Sequence, residues 1–195
     1  GKTLPTAYRL AARKSSAIDN KSLQAFIEGA VESRDFADLK VPHTAITTDF
    51  DTGELVPLRE GDLISAVMAS AAIPAVFPAV ERDGRRLVDG GVGANVPVGI
   101  AAARGAQTIV VLDCGFTVIA PQKEETLRAN LMRMAAIMAS QQVRRDLEKV
   151  RDRTVLYLPG PWPIGSRPDD FRRSQELASA AYDLTLEWLA ELRIE

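Results

Sequence analysis

The chain has 195 residues, 46% hydrophobic and 26% charged, with 26 acidic against 24 basic side chains for a net charge of −2. That length can bury a sizeable core and fits a single domain over 1–195, and the balanced charge argues against a nucleic acid or an anionic membrane held by a strong basic field. One Cys (Cys114) excludes an intrachain disulfide and one His (His43) excludes the common zinc sites, so neither a metal nor a cofactor is expected.

In chain order, 6–14 and 21–32 are predicted helices. The second carries Leu23, Phe26, Ile27, Ala30 and Val31 at three- and four-residue spacing behind an Asp19 or Asn20 cap. Residues 41–49 are rich in β-branched side chains and predict a strand, Asp51-Thr52-Gly53 a turn, and 54–58 the returning strand of a hairpin. Asp62 is suited to cap a helix through Leu63, Ile64, Val67 and Met68 that stops before Pro74, and the small residues of 66–75 suit close approach to neighbours. The nearly apolar stretch 66–80 contains Ser70, Pro74 and Pro78 and is shorter than the roughly 20 residues that span a bilayer, so no transmembrane segment is expected and a cytoplasmic or peripheral location is favoured.

After an Asp83-Gly84 turn, 85–89 reads as a short strand followed by Gly90-Gly91-Val92-Gly93. Asn95 with Pro97 signals a helix start and Gly105 its stop. The apolar run 108–113 reads as a parallel strand covered on both faces, making a βαβ unit with strand 85–89 and the intervening helix. A long helix over 124–150 has Leu127, Leu131, Met134 and Met138 on one side and a rotated stripe of Val143, Leu147 and Val150 further along; 144–153 is its charged, solvated end. A strand over 154–158, a Pro/Gly loop over 159–168 and an amphipathic helix over 174–192 complete an α/β chain with a helix-covered sheet.

The most informative stretch is Asp89-Gly90-Gly91, a carboxylate at a strand end followed by two residues that tolerate any backbone conformation. In open α/β sheets ligands bind outside the carboxyl ends of strands, and Gly90 and Gly91 would let main chain and substrate approach closely. The same tripeptide also serves as a plain tight turn. A dinucleotide fingerprint fails, because its third glycine falls on Val96 and the preceding strand follows the charged run Arg82-Asp83-Gly84-Arg85-Arg86; no Walker sequence is present either. Nucleophilic catalysis needs an activated Ser, Cys or Thr with a base. No serine lies in Gly-x-Ser-x-Gly or begins Ser-x-x-Lys, and Gly165-Ser166 is followed by Arg167-Pro168. Cys114 reads as a small core residue and His43 as a structural or surface residue at the start of a strand.

Several spaced segments follow one another in order: Thr47-Thr48-Asp49-Phe50-Asp51-Thr52-Gly53-Glu54, then Ala69-Ser70-Ala71-Ala72-Ile73-Pro74-Ala75-Val76-Phe77-Pro78, Leu87-Val88-Asp89-Gly90-Gly91-Val92, Asn95-Val96-Pro97 and Gly105-Ala106. Together they resemble the bacterial branch of the patatin-like phospholipase family, with a looser likeness at Asp170-Phe171-Arg172-Arg173-Ser174 and the last helix. The resemblance implies a three-layer α/β/α hydrolase that cleaves acyl esters of lipids through a Ser-Asp dyad, with Asp89 as general base and Gly90 and Gly91 shaping the turn beside it. Such a dyad needs no imidazole. A free Asp has a pKa of about 4, so the role requires Asp89 to be partly desolvated and close to the Ser hydroxyl.

In that family the Gly-x-Ser-x-Gly elbow and the Gly-rich oxyanion loop come before this region, and neither occurs between Gly1 and Asp89. With Gly1 in place of Met, the expectation is a C-terminal portion of the family domain, inactive alone. It would act on a lipid or acyl ester, with peripheral membrane contact and no nucleic acid. Apolar strand and helix faces would be left exposed, to be covered by an N-terminal segment or another chain. The alternative is a non-catalytic α/β binding or interaction module that lacks the nucleophile.

Overall fold

The computed structural model describes residues 20–74, 76–114, 127–161 and 171–192. The helix expected over 6–14, the possible Asp19 cap, Ser166 and most of the Pro/Gly loop lie outside them. The chain is mixed α/β and divides into two compact units, Gly1–Ala94 and Asn95–Glu195.

In the first unit, α1 (Asn20–Ala30) is followed by β1 (Ala45–Asp49), β2 (Leu55–Leu58), α2 (Leu63–Ser70), β3 (Val80–Arg82) and β4 (Arg85–Asp89). The four strands form one antiparallel sheet in the order β2-β1-β4-β3. The hairpin β1–β2 is the one expected, and it is closed by Asp49: its Oδ1 accepts the N–H groups of Asp51 at 2.9 Å and Thr52 at 3.1 Å, while Gly53 takes φ +75°. β1 begins later than expected, at Ala45, because Ala45 pairs with Leu58, the last residue of β2, and nothing precedes it in the ladder. β3 was not legible as a strand; it pairs back onto β4 across the Asp83-Gly84 turn, where both residues have positive φ.

Asp62 caps α2 by accepting the Ser65 N–H at 2.7 Å. Replacing it by Ala is expected to cost about 1 kcal/mol, read as a lower urea midpoint. Ala66, Ala69 and Ala72 are fully buried, so α2 lies close on the sheet face that carries Ala45, Leu58, Val80 and Leu87. Ile27 of α1 joins the same core, while Phe26 stays exposed. Arg82 ties β3 to the segment entering α2, donating to Asp62 O at 2.7 Å, Ser65 Oγ at 2.8 Å and Glu60 O at 2.6 Å.

The second unit contains α3 (Val98–Ala103), β5 (Thr108–Val111), α4 (Leu127–Lys149), β6 (Thr154–Tyr157) and α5 (Ser174–Glu191). Two expectations are corrected here. β4 is hydrogen-bonded in the antiparallel sheet and β5 in a separate pair, so β4, α3 and β5 are not a βαβ unit; the parallel partner of β5 is β6, in register Ile109↔Val155. β5 is also not covered on both faces: Ile109 and Val111 pack with Val143 and Val150, while Val110 is 52% and Leu112 77% exposed. Among the described residues, α3 and α4 place their buried apolar side chains against Ile109 and Val111.

α3 begins after Pro97, which occupies the cap position with no side-chain cap, so Asn95 does not perform the capping role expected of it, whereas Gly105 ends the helix at φ +89° as expected. On α4 the second stripe is the buried one, and Leu131, Met134 and Met138 are exposed. α5 buries none of its described side chains.

Candidate active site

Asp89 is the last residue of β4, opposite Thr47 of β1. Its own N–H is held by Ala72 O at 3.0 Å, just beyond the C-terminal end of α2. The chain then makes a single 3-10 turn, Gly90–Val92, capped by the Asp89 side chain: Oδ1 accepts the Gly91 N–H at 2.7 Å. Among the described residues no donor is bonded to Oδ2. The carboxyl is half-buried, and that burial pushes its pKa above the ordinary aspartate value, while the Gly91 N–H pulls it down by a smaller amount.

The sheet that carries Asp89 is antiparallel, so the carboxyl-end rule of open parallel sheets does not account for its position; the tight turn after β4 does. The two glycines differ in what their surroundings demand. Gly90 is buried, and a Cβ there would lie 2.3 Å from Ile46 O and 2.7 Å from Ile46 C, so the close approach it permits is to the main chain of β1. Gly91 contributes its N–H to the carboxylate.

Two residues of the 47–54 segment have structural roles that the sequence did not assign to them. Thr48, on β1, accepts the Gly93 N–H on its Oγ1 at 3.1 Å. Asp49 is buried and serves the hairpin turn, with Arg85 3.7 Å from its Oδ2. Thr48 is joined to a residue 45 positions away. No local pattern signals such a contact.

The remaining sequence candidates fall elsewhere. His43 is exposed and precedes β1, its ring stacked on Phe36 at 6.2 Å. Cys114 is exposed and not a core residue, because β5 ends at Val111 and 112–114 run on past the ladder. Asp113, beside it, accepts the Tyr157 hydroxyl at 2.5 Å.

Residues 4–102, which include β1 to β4 and the turn after Asp89, match the family described as patatin-like phospholipase. The chain belongs to that family. An uncharacterised NTE family protein of Mycobacterium tuberculosis is 34% identical over 86 residues, 44% of this chain and 24% of that protein. Patatin-like phospholipase domain-containing protein 7 of Mus musculus is 32% identical and protein 6 of Homo sapiens 31% identical, each over 91 residues, 46% of this chain and 7% of theirs. This patatin-like chain therefore aligns with a quarter or less of the length of these relatives. Among its described residues no helix is long and apolar enough to cross a membrane.

Proposed function

We propose that this chain contributes the general base of a lipid acyl hydrolase, a serine esterase with a Ser-Asp dyad in which Asp89 is the base. The observation that carries the reading is the state of Asp89: half-buried at a strand end, one oxygen held by the Gly91 N–H, the other without a donor among the described residues, and its proton affinity raised by desolvation. In the reaction Asp89 takes the proton of the serine hydroxyl as the serine oxygen attacks the ester carbonyl. That proton passes to the departing alcohol, leaving an acyl-serine. Water then attacks the acyl group and gives its proton to Asp89, which returns it to the serine.

No Gly-x-Ser-x-Gly occurs in the 195 residues, so the reading assigns the nucleophile and the oxyanion donors to protein outside them. The exposed apolar side of β5 fits a domain completed by further protein. A fluorophosphonate probe separates the possibilities. It is expected to label one serine in a chain that joins an elbow serine to these residues, and none in the 195-residue chain alone. Labelling of the short chain would show that one of its own serines is activated and would overturn the assignment; no labelling of either favours the non-catalytic module.

A further inference from the structure

The turn that presents Gly91 to Asp89 is held at both ends. Thr47 pairs with Asp89 and Thr48 with Val88, so strand alternation sets Thr48 on the opposite face of the sheet from the Asp89 carboxylate. The segment from Asp89 to Gly93 thus crosses the end of β4, fixed on one side by Ala72 O on the Asp89 N–H and on the other by Thr48 Oγ1 on the Gly93 N–H. Between those anchors the turn closes on itself through Gly93 N to Gly90 O at 3.0 Å and Ala94 N to Gly90 O at 2.7 Å.

The Thr48 contact leaves little slack. Thr48 is only 1% exposed, and a Cβ added at Gly93 would meet Thr48 Oγ1 at 3.0 Å and Leu55 Cδ2 at 2.7 Å. Thr48 has no bond to the carboxylate; its connection to Asp89 side-chain geometry runs through the turn.

We propose that Thr48 is a positioning residue for Asp89: its hydroxyl oxygen fixes the Gly90–Gly93 turn so that the Gly91 N–H stays aimed at Oδ1 and Oδ2 stays turned toward the reacting hydroxyl. This rests on the acyl-hydrolase reading of Asp89.

Thr48→Val keeps the volume and removes the acceptor, whereas Thr48→Ser keeps the acceptor. Amide exchange in the 195-residue chain is the first measurement. Thr48→Val is expected to speed exchange at both Gly93 and Gly91 by about tenfold, and Thr48→Ser to leave both as in the parent. Acceleration at Gly93 alone makes Thr48 a structural peg and overturns the proposal, as does no change at either.

The second measurement is ester turnover in a chain that also carries the elbow serine. Thr48→Val should lower kcat about tenfold with KM unchanged, Thr48→Ser should restore it, and the core variant Leu58→Ala should destabilise without lowering kcat. If Asp89→Asn abolishes turnover while Thr48→Val leaves kcat intact, only the positioning role fails. If Asp89→Asn retains turnover, the acyl-hydrolase reading fails and takes this role with it.

Discussion

On the proposed role of Asp89 as base, Asp89→Asn in a chain that also carries the elbow serine is expected to lower ester turnover about a thousandfold while making the fold more stable at neutral pH, because the burial that would suit the carboxylate to that role works against its charge. Desolvation is the larger influence on Asp89 and raises its pKa; the Gly91 N–H opposes it more weakly. A carboxyl whose folded pKa lies above its unfolded value contributes stability that is fully present below the unfolded pKa, about 4, and lost as pH rises through the folded value. At neutral pH the ionised group is therefore a cost. Asn carries no charge, and its Oδ1 still accepts the Gly91 N–H, so the cap of the 3-10 turn is kept. Urea midpoints of the two proteins should differ most at neutral pH, with Asn the more stable, and converge as pH falls below the ordinary aspartate range. Turnover that survives the substitution would remove Asp89 from the proposed mechanism; a parent that is the more stable at neutral pH would contradict the desolvation.

Gly90→Ala should be the most damaging small substitution in the first unit, costing about 3 kcal/mol or more. The added Cβ would sit 2.3 Å from Ile46 O, and the atoms it meets first belong to the main chain of β1. They cannot turn aside as a side-chain end would; β1 or the turn has to move, and either shift disturbs the Gly91 N–H on Asp89. Gly29→Ala provides the comparison. Gly29 lies inside α1 with no atom within 4 Å of the added Cβ, so Ala there should stabilise by about 0.5–1 kcal/mol through reduced backbone entropy in the unfolded chain. Urea unfolding monitored on the first unit checks both, and a Gly90→Ala protein with an unchanged midpoint would refute the close approach.

Asp51-Thr52-Gly53, Asp83-Gly84, the Asp62 cap and the Gly105 stop were legible because each is settled by a residue's own φ or by a hydrogen bond reaching two or three positions away. The start of α3 was misread since Asn95 has the chemistry of a cap, yet the helix begins after Pro97 without one. The spaced segments around Asp89-Gly90-Gly91 were enough to recognise the patatin-like family.

By itself, then, the amino-acid sequence determined the α/β character, most of the elements, the turns and the family. Tertiary structure alone decided that β4 pairs antiparallel with β1 and that β5 pairs with β6, that Val110 of β5 is half-exposed while Ile109 and Val111 are buried, and that Gly90 and Thr48 matter through contacts with residues 44 and 45 positions away. The reason is physical: apolar alternation tells a strand which way its side chains face but not which edge it will meet, and that choice is made by long-range packing after loop closure.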